Sequence, residues 1–449
     1  MSFQVCSKTL SNKPLMPSFV ESLTMAQEPL RSIVRQIHSG QLSVADYVGT
    51  FWQRCQQLNP QLRALSYGPL KQALAQARAM DADCRLRQGA LAGLPIAIKD
   101  VIAVAGWPTD FGAHPMFRRW PRADAACVTA LKAAGAIIWA KATTAEFAYA
   151  QPPATTHPEY PAHTPGGSSS GSAAGVAAGL FPVALSTQTG GSIIRPAAFC
   201  GVYGFKPSFG AIDRSGLQAF APSFDTIGWH ARHLDDIALL YEVLVEKQSQ
   251  TSLDVVAEKP SSFNQLRVGF CPTPFWSQAC VATRDLLAQW ANRWGAQPIT
   301  LPIDLAQISK DHRLLMAAEM AHSLRKEYRQ GARYLSPVLR VLIKEGQRIP
   351  LQEAHRARER LRLNQALFAQ SFQKVDVLLA PAAPGTAPRG LQSTGRSVFN
   401  GFWSALGAPC LAIPMGRGAQ GLPLGLQLVG APGADRALLT AARQLTGYF

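Results

Sequence analysis

The chain has 449 residues, 47% hydrophobic and 16% charged, with 44 Lys and Arg against 28 Asp and Glu for a net charge of +16. Such a composition buries a large core and excludes an intrinsically disordered chain. It has no run of the roughly 18 apolar residues that a membrane helix needs, and its 8 cysteines and 9 histidines form no C-x-x-C or H-E-x-x-H pair, so neither a zinc site nor a small disulfide framework is indicated and a reduced, cytoplasmic protein is expected.

Residues 1–28 read as a loose extension without the continuous apolar segment of a secretory signal, with Met25 as an alternative start. Residues 29–449 read as one domain: a core over 90–235, a helix-rich stretch over 263–374 and a return to the core over 375–449. Pro29 to Leu58 carries helical patterning, with Ser43 as N-cap of a second helix, and Leu70 to Gly89 is another helix. The texture then changes. Leu91 to Lys99 is an apolar run ending in lysine, which suits a buried strand. Asp124 to Ala134 is helical and closed by Gly135, Ala136 to Lys141 is a second buried strand, and Thr144 to Tyr149 restarts a helix. A proline-rich loop spans 152–165. The Gly/Ser/Ala segment 166–179 turns helical from about Ser172, and Phe181 to Thr187 is a third strand running into Thr189-Gly-Gly-Ser192. Lys247 to Gln265 is a polar connector. Leu266 to Cys271 and Val375 to Pro381 are further strands separated by mostly helical sequence. Leu411 to Met415 and Leu422 to Val429 alternate with turns before a last helix. Strands alternating with helices predict an α/β layered fold.

The positive charge is densest between Arg325 and Arg362. A nucleic-acid footprint is one explanation. A pair of solvated helices is the simpler one, because Leu335, Val338, Leu339, Val341 and Leu342 recur there at helical spacing and no nucleic-acid motif accompanies them.

Three segments carry chemistry. Gly167-Ser-Ser-Ser-Gly171 formally matches the G-x-S-x-G nucleophile elbow, which would make Ser169 a nucleophile. That elbow requires a preceding apolar strand, and Ala162-His-Thr-Pro165 is not one, so the elbow is rejected. Around Thr189-Gly190-Gly191-Ser192, paired glycines let successive backbone N–H groups converge into an anion-binding concavity beside a serine, as an oxyanion hole requires. Lys99, at the end of an apolar strand, is disfavoured in its charged form, and a neutral amine there serves as a general base. Asp100 is the alternative partner, which would keep Lys99 charged.

Together these segments resemble the amidase-signature hydrolases, from about Leu30 to the C-terminus. The marks are the lysine run Gly93 to Asp100, the G-G-S-S-S-G of Gly166 to Gly171, the T-G-G-S-I of Thr189 to Ile193, and Pro196 to Gly201. Gly204 to Ser208, Phe224 to Gly228 and Gly421 to Gly425 also match. The resemblance implies a large twisted mixed β-sheet covered by α-helices on both faces. It implies an amide hydrolase that forms an acyl ester on Ser192 and releases ammonia or an amine. Ser168, after a cis peptide bond, would relay the proton to Lys99 as base. The backbone N–H groups of Thr189, Gly190, Gly191 and Ser192 would hold the oxyanion, with Ser169 and Gln188 in support. No cofactor or metal is implied; the partner is a small-molecule amide, not a membrane or nucleic acid, and a homodimer is left open. Many relatives carry Asp where this chain has Gln188 and Arg where it has Ile194; here the arginine comes one residue later, as Arg195. The alternatives are the glutamine-hydrolysing A subunit of a glutamyl-tRNA amidotransferase and a non-catalytic, nucleic-acid-binding relative, against which the intact Lys99, Ser168 and Ser192 argue.

Overall fold

The computed structural model describes residues 28–149, 151–246, 266–418 and 420–447. The N-terminal extension, up to residue 27, and the connector over 247–265 lie outside the described residues. One mixed sheet of eleven strands organises the rest, in the order β1-β3-β2-β4-β6-β5-β10-β11-β9-β7-β8. Its first six strands are β1 (Leu65–Tyr67), β2 (Pro95–Lys99), β3 (Ile137–Ala142), β4 (Val183–Gln188), β5 (Tyr203–Lys206) and β6 (Thr226–Ala231). The remaining five are β7 (Val268–Phe270), β8 (Gln297–Pro298), β9 (Val377–Pro381), β10 (Cys410–Arg417) and β11 (Pro423–Val429). Strand β2 runs parallel to both β3 and β4, whereas β4 pairs antiparallel with β6.

Side chains alternate between the two faces of a strand. Strands β2, β3, β4, β5, β6, β9 and β11 are nevertheless buried at every position, so helices must cover both faces there. The outermost strands, β1 and β8, are open to solvent, as is the end of β10 at Arg417. The expected α/β class is the one found.

Fourteen α-helices occur among the described residues. The first two, α1 (Leu30–Ser39) and α2 (Val44–Leu62), are separated as the sequence suggests, with Ser43 Oγ accepting from Asp46 N at the start of α2. Helix α3 (Leu70–Ala82) stops short of Gly89, because Asp83 turns extended and caps a separate 3₁₀ turn over Cys84–Arg87. Helix α4 (Ala126–Ala133) precedes β3, α5 (Ser170–Ala177) precedes β4, and α6 (Ile194–Cys200) follows it. Helix α7 (Leu234–Tyr241) packs on β5 and β6, and α8 (Val281–Arg293) on β9 and β11.

Thr144 to Tyr149 is not the helix its composition suggests. Phe147 and Ala148 take left-handed φ values of 45° and 62°, leaving a single 3₁₀ turn. Tertiary contacts outweigh propensity here: the Phe147 ring stacks on Phe111 at 5.4 Å, its N–H donates to Phe111 O, and Glu146 accepts from Ser336 N.

The basic stretch is helical: α10 (Arg325–Gly331), α11 (Pro337–Arg348) and α12 (Leu351–Gln370), following α9 (Leu305–Ser323). Leu335, Leu339 and Leu342 are buried as their spacing implies, but Val338 and Val341 are exposed. Several of its charges are spent on neighbours, Arg358 pairing with Glu319 and Arg360 with the buried Asp311. Helices α13 (Gly401–Ala405) and α14 (Asp435–Thr446) complete the set.

Candidate active site

Parallel strands β2 and β4 end at the same edge of the sheet, where open α/β sheets place their ligands. Lys99 is the last residue of β2 and Gln188 the last of β4. The segment 166–169 enters α5 at this edge, through a cis peptide between Gly167 and Ser168. Glycine at 171 is a steric requirement: a Cβ there would stand 2.2 Å from Ala64 O and 2.5 Å from Thr143 N. The apposition brings Ser168 over the end of β2.

Lys99 is wholly buried. Its Nζ lies 2.8 Å from Ser168 Oγ, 2.8 Å from Thr187 Oγ1 and 3.3 Å from Thr187 O. Burial holds its pKa well below the ordinary lysine range, opposed only by the carboxylate of Asp225. Asp100 is not its partner. Asp100 pairs at 3.1 Å with Lys141, another buried lysine, and accepts from Ser66 Oγ and Asp110 N. Neighbouring strand residues point to opposite faces, so Asp100, next after Lys99, is directed away from it.

Ser169 is committed elsewhere, its hydroxyl donating to Thr187 O at 3.2 Å under complete burial. Ser192 is 9% exposed, and its hydroxyl has no hydrogen-bond partner among the described residues. Of the two links the resemblance implies, Lys99–Ser168 is therefore made, and Ser168–Ser192 is not closed in this conformation.

Four carbonyls of the turn from Thr189 to Ile193 are tied to neighbouring groups. Thr189 O accepts from His312 Nε2 at 2.9 Å, Gly190 O from Ser404 Oγ at 2.9 Å, and Gly191 O from Arg195 N at 3.0 Å. Ile193 O accepts from His230 Nε2 at 3.0 Å. The backbone N–H groups of Thr189, Gly190, Gly191 and Ser192 donate to no group among the described residues. Successive amides left unspent are what an anion-binding nest requires. Gly191 is required by its surroundings, since a Cβ there would lie 2.6 Å from Asn400 Oδ1, whereas Gly190 would meet only His312 Cε1, at 3.8 Å.

The Amidase family model matches residues 46–439 of the chain. The chain belongs to the amidase family. Curated relatives include the "Putative amidase AmiD" of Mycobacterium tuberculosis, 30% identical over 96% of this chain and 97% of that protein. They also include the A subunit of the glutamyl-tRNA(Gln) amidotransferase of Chromobacterium violaceum, 30% identical over 94% and 97%. Among solved structures, a chain of an inhibitor-bound vestigial protein complex that reveals the evolutionary origins of an s-triazine catabolic enzyme superposes with a TM-score of 0.85 at 28% identity, covering 94% of this chain and 99% of that one. A crystal structure of an amidase gives 0.82 at 27%, with 94% and 99% covered. The expectation of an amide hydrolase built on an amidase-signature fold is met.

Gln188 and Arg195 brace the site. Gln188 Oε1 accepts from both Ile193 N (2.9 Å) and Ile194 N (3.1 Å), and its Nε2 donates to Ser404 Oγ at 3.1 Å. Arg195 turns to the other motif. Its Nη2 donates to Gly167 O at 2.6 Å and Thr394 Oγ1 at 3.1 Å, and with no acidic partner its pKa is lowered to about 10 by burial.

Asp225 falls inside the matching segment Phe224 to Gly228, which by itself assigns it no role. Its carboxylate accepts from Thr189 Oγ1 at 2.6 Å and from Phe220 N and Ala221 N, and burial pushes its pKa up to about 6. His230, His312, Ser404 and Asn400 carry no signal in the sequence.

Proposed function

We propose that the protein hydrolyses a small carboxylic amide, unaided by partner subunits, through an acyl ester on Ser192. Ser192 Oγ attacks the carbonyl carbon, and the carbonyl π pair moves onto oxygen, where the free N–H groups of the 189–192 turn receive it. The Ser192 proton passes to Ser168 Oγ as the Ser168 proton passes to neutral Lys99. The C–N bond then breaks, and the leaving nitrogen takes the proton back along the same path. Water attacks the ester in the reverse sense, releasing the acid and restoring Ser192. The Ser168–Ser192 link must close when substrate binds, as catalytic hydrogen bonds often do.

The observation that carries this reading is the turn whose four amides are unspent beside an unbonded Ser192 hydroxyl, with a buried lysine on Ser168. Each amide in such a hole is worth about 10²–10³ in rate. The test is a panel of aliphatic, aromatic and dipeptide amides offered to purified protein, with a fluorophosphonate probe to mark the nucleophile. Hydrolysis and labelling that both vanish in Ser192→Ala are expected; labelling at Ser169 would overturn the assignment.

A second reading, the glutaminase component of an amidotransferase, is favoured by relatives such as the Chromobacterium protein. Hydrolysis only in the presence of partner subunits would establish it. A reduced cytoplasmic setting accords with Cys55, Cys127, Cys200, Cys271 and Cys410 being buried and unpaired.

A further inference from the structure

The helix-rich stretch between β7 and β9 supplies none of the reacting groups, yet one of its side chains reaches the turn. His312, in the middle of α9, is 6% exposed and packs its ring on Phe224 at 4.6 Å between centroids. A Cβ at Gly401 would lie 3.1 Å from its Nδ1, and one at Gly190 3.8 Å from its Cε1, so the ring sits between the turn and α13. Its Nε2 is 2.9 Å from Thr189 O. A carbonyl only accepts, so the proton is on Nε2, and the ring is fixed in that tautomer.

The effect on the turn follows from the peptide plane. Thr189 O and Gly190 N belong to the same peptide group, and the carbonyl and the N–H point in opposite directions. Whatever holds the Thr189 carbonyl down aims the Gly190 amide up, toward the side where the oxyanion is received. The same geometry makes Ser404, on Gly190 O, the aiming group for the Gly191 amide. Asp225 holds Thr189 by its hydroxyl, which leaves the rotation of the following peptide free. His312 is the group that stops it.

We propose that His312 is a positioning residue for catalysis, orienting the Gly190 N–H as an oxyanion donor through its bond to Thr189 O. The proposal rests on the reading of Ser192 as the acylated nucleophile. It also gives α9 a function: by this bond the helical half of the chain is tied directly to the catalytic turn.

The test uses a fluorophosphonate probe on the full-length protein, since phosphonylation forms the Ser192 Oγ–P bond, expels fluoride and loads the phosphoryl oxygen onto the turn. His312→Gln places an amide Nε2 where the imidazole Nε2 stood, and His312→Asn, also polar but shorter, falls short of Thr189 O. His312→Leu removes the donor altogether. Losing one donor of an oxyanion hole costs about 10²–10³ in rate, and misdirecting one costs less. Expected are a maximal labelling rate about 10–100-fold lower in His312→Asn and His312→Leu, an unchanged half-saturating probe concentration, and recovery to within about threefold in His312→Gln. A thermal midpoint alike in His312→Asn and His312→Gln separates aiming from general packing. Equal labelling rates in the Asn and Gln variants, or a loss confined to probe affinity, would overturn the proposal. Absence of labelling in the unaltered protein, or labelling that persists in Ser192→Ala, would instead overturn the reading beneath it.

Discussion

Gln188 stands where the amidase-signature pattern leads one to expect Asp, and placing Asp there tests how the turn is held. Gln188 is buried, with two backbone amides on its Oε1 and the Ser404 hydroxyl on its Nε2. Ser404 in turn holds Gly190 O. Gln188→Asp removes the donor to Ser404, worth about 1 kcal/mol. It also places a carboxylate where no cation stands against it, since Arg195 is spent on Gly167 O and Thr394. An unpaired buried charge costs about 3–5 kcal/mol, and the turn, drawing in by the missing methylene to keep its two amides on the shorter carboxylate, returns about 2 kcal/mol as charge-assisted bonds. The net loss is about 2–4 kcal/mol.

Its pH dependence identifies the cause. Burial raises the pKa of the introduced acid above its unfolded value, so the folded state favours the protonated form. The charge penalty is therefore absent below about pH 4, appears as pH rises through the unfolded pKa, and is complete above the folded one. Thermal unfolding across that range, alongside Ser192 labelling at neutral pH, measures both effects. A Gln188→Asp protein as stable and as readily labelled as its parent at neutral pH would refute this account of how the turn is held.

Ser192→Ala should abolish hydrolysis and labelling without moving the unfolding midpoint, because Ser192 Oγ is bonded to nothing that alanine would strand. Lys99→Met should slow labelling by at least about 10²-fold, the scale of a lost general base. In the parent, burial keeps Lys99 neutral to below the usual lysine range, so labelling should fall only as pH drops through that lowered pKa, and this limb should vanish in the variant. Retention of the limb would assign it to another group. Gly191→Ala drives a methyl into Asn400 Oδ1 at 2.6 Å and should cost about 1–3 kcal/mol. Gly190→Ala meets nothing nearer than 3.8 Å and should unfold like the parent, so equal midpoints for the two alanine variants would contradict the packing described.

What is legible in the sequence follows from burial. Strands β2, β3 and β4 are covered on both faces, so they appear as short apolar runs; the sequence places β3 and β4 to within two residues and the end of β2 at Lys99, but starts β2 four residues early, at Leu91. Strands β5 and β6 are equally buried but give no such signal, because Tyr203-Gly-Phe-Lys206 and Thr226-Ile-Gly-Trp-His-Ala231 interrupt the apolar pattern with Gly, Lys and His. Those polar side chains are satisfied internally, His230 by Ser186 and Ile193 O, and Lys206 by Pro207 O. Composition cannot reveal such pairing. Phe147 misleads for the complementary reason: its left-handed backbone is imposed by Phe111 and Phe117, which lie some thirty residues earlier.

The candidate site divides along the same line. Lys99, Ser168 and Ser192 fall in glycine-marked segments whose local order is itself the signal. The groups that hold the turn around Ser192 come from residues 230, 312 and 404, single side chains of ordinary type contributed by distant parts of the chain. The donors of the proposed oxyanion hole are backbone amides, which every residue except proline supplies, so what must be specified is only where their carbonyls are tied. Any donor that reaches those carbonyls, and any acceptor that gathers the amides of Ile193 and Ile194, meets the requirement. Gln188 meets it from one side with a neutral amide, while Arg195 fastens Gly167 O beside Ser168.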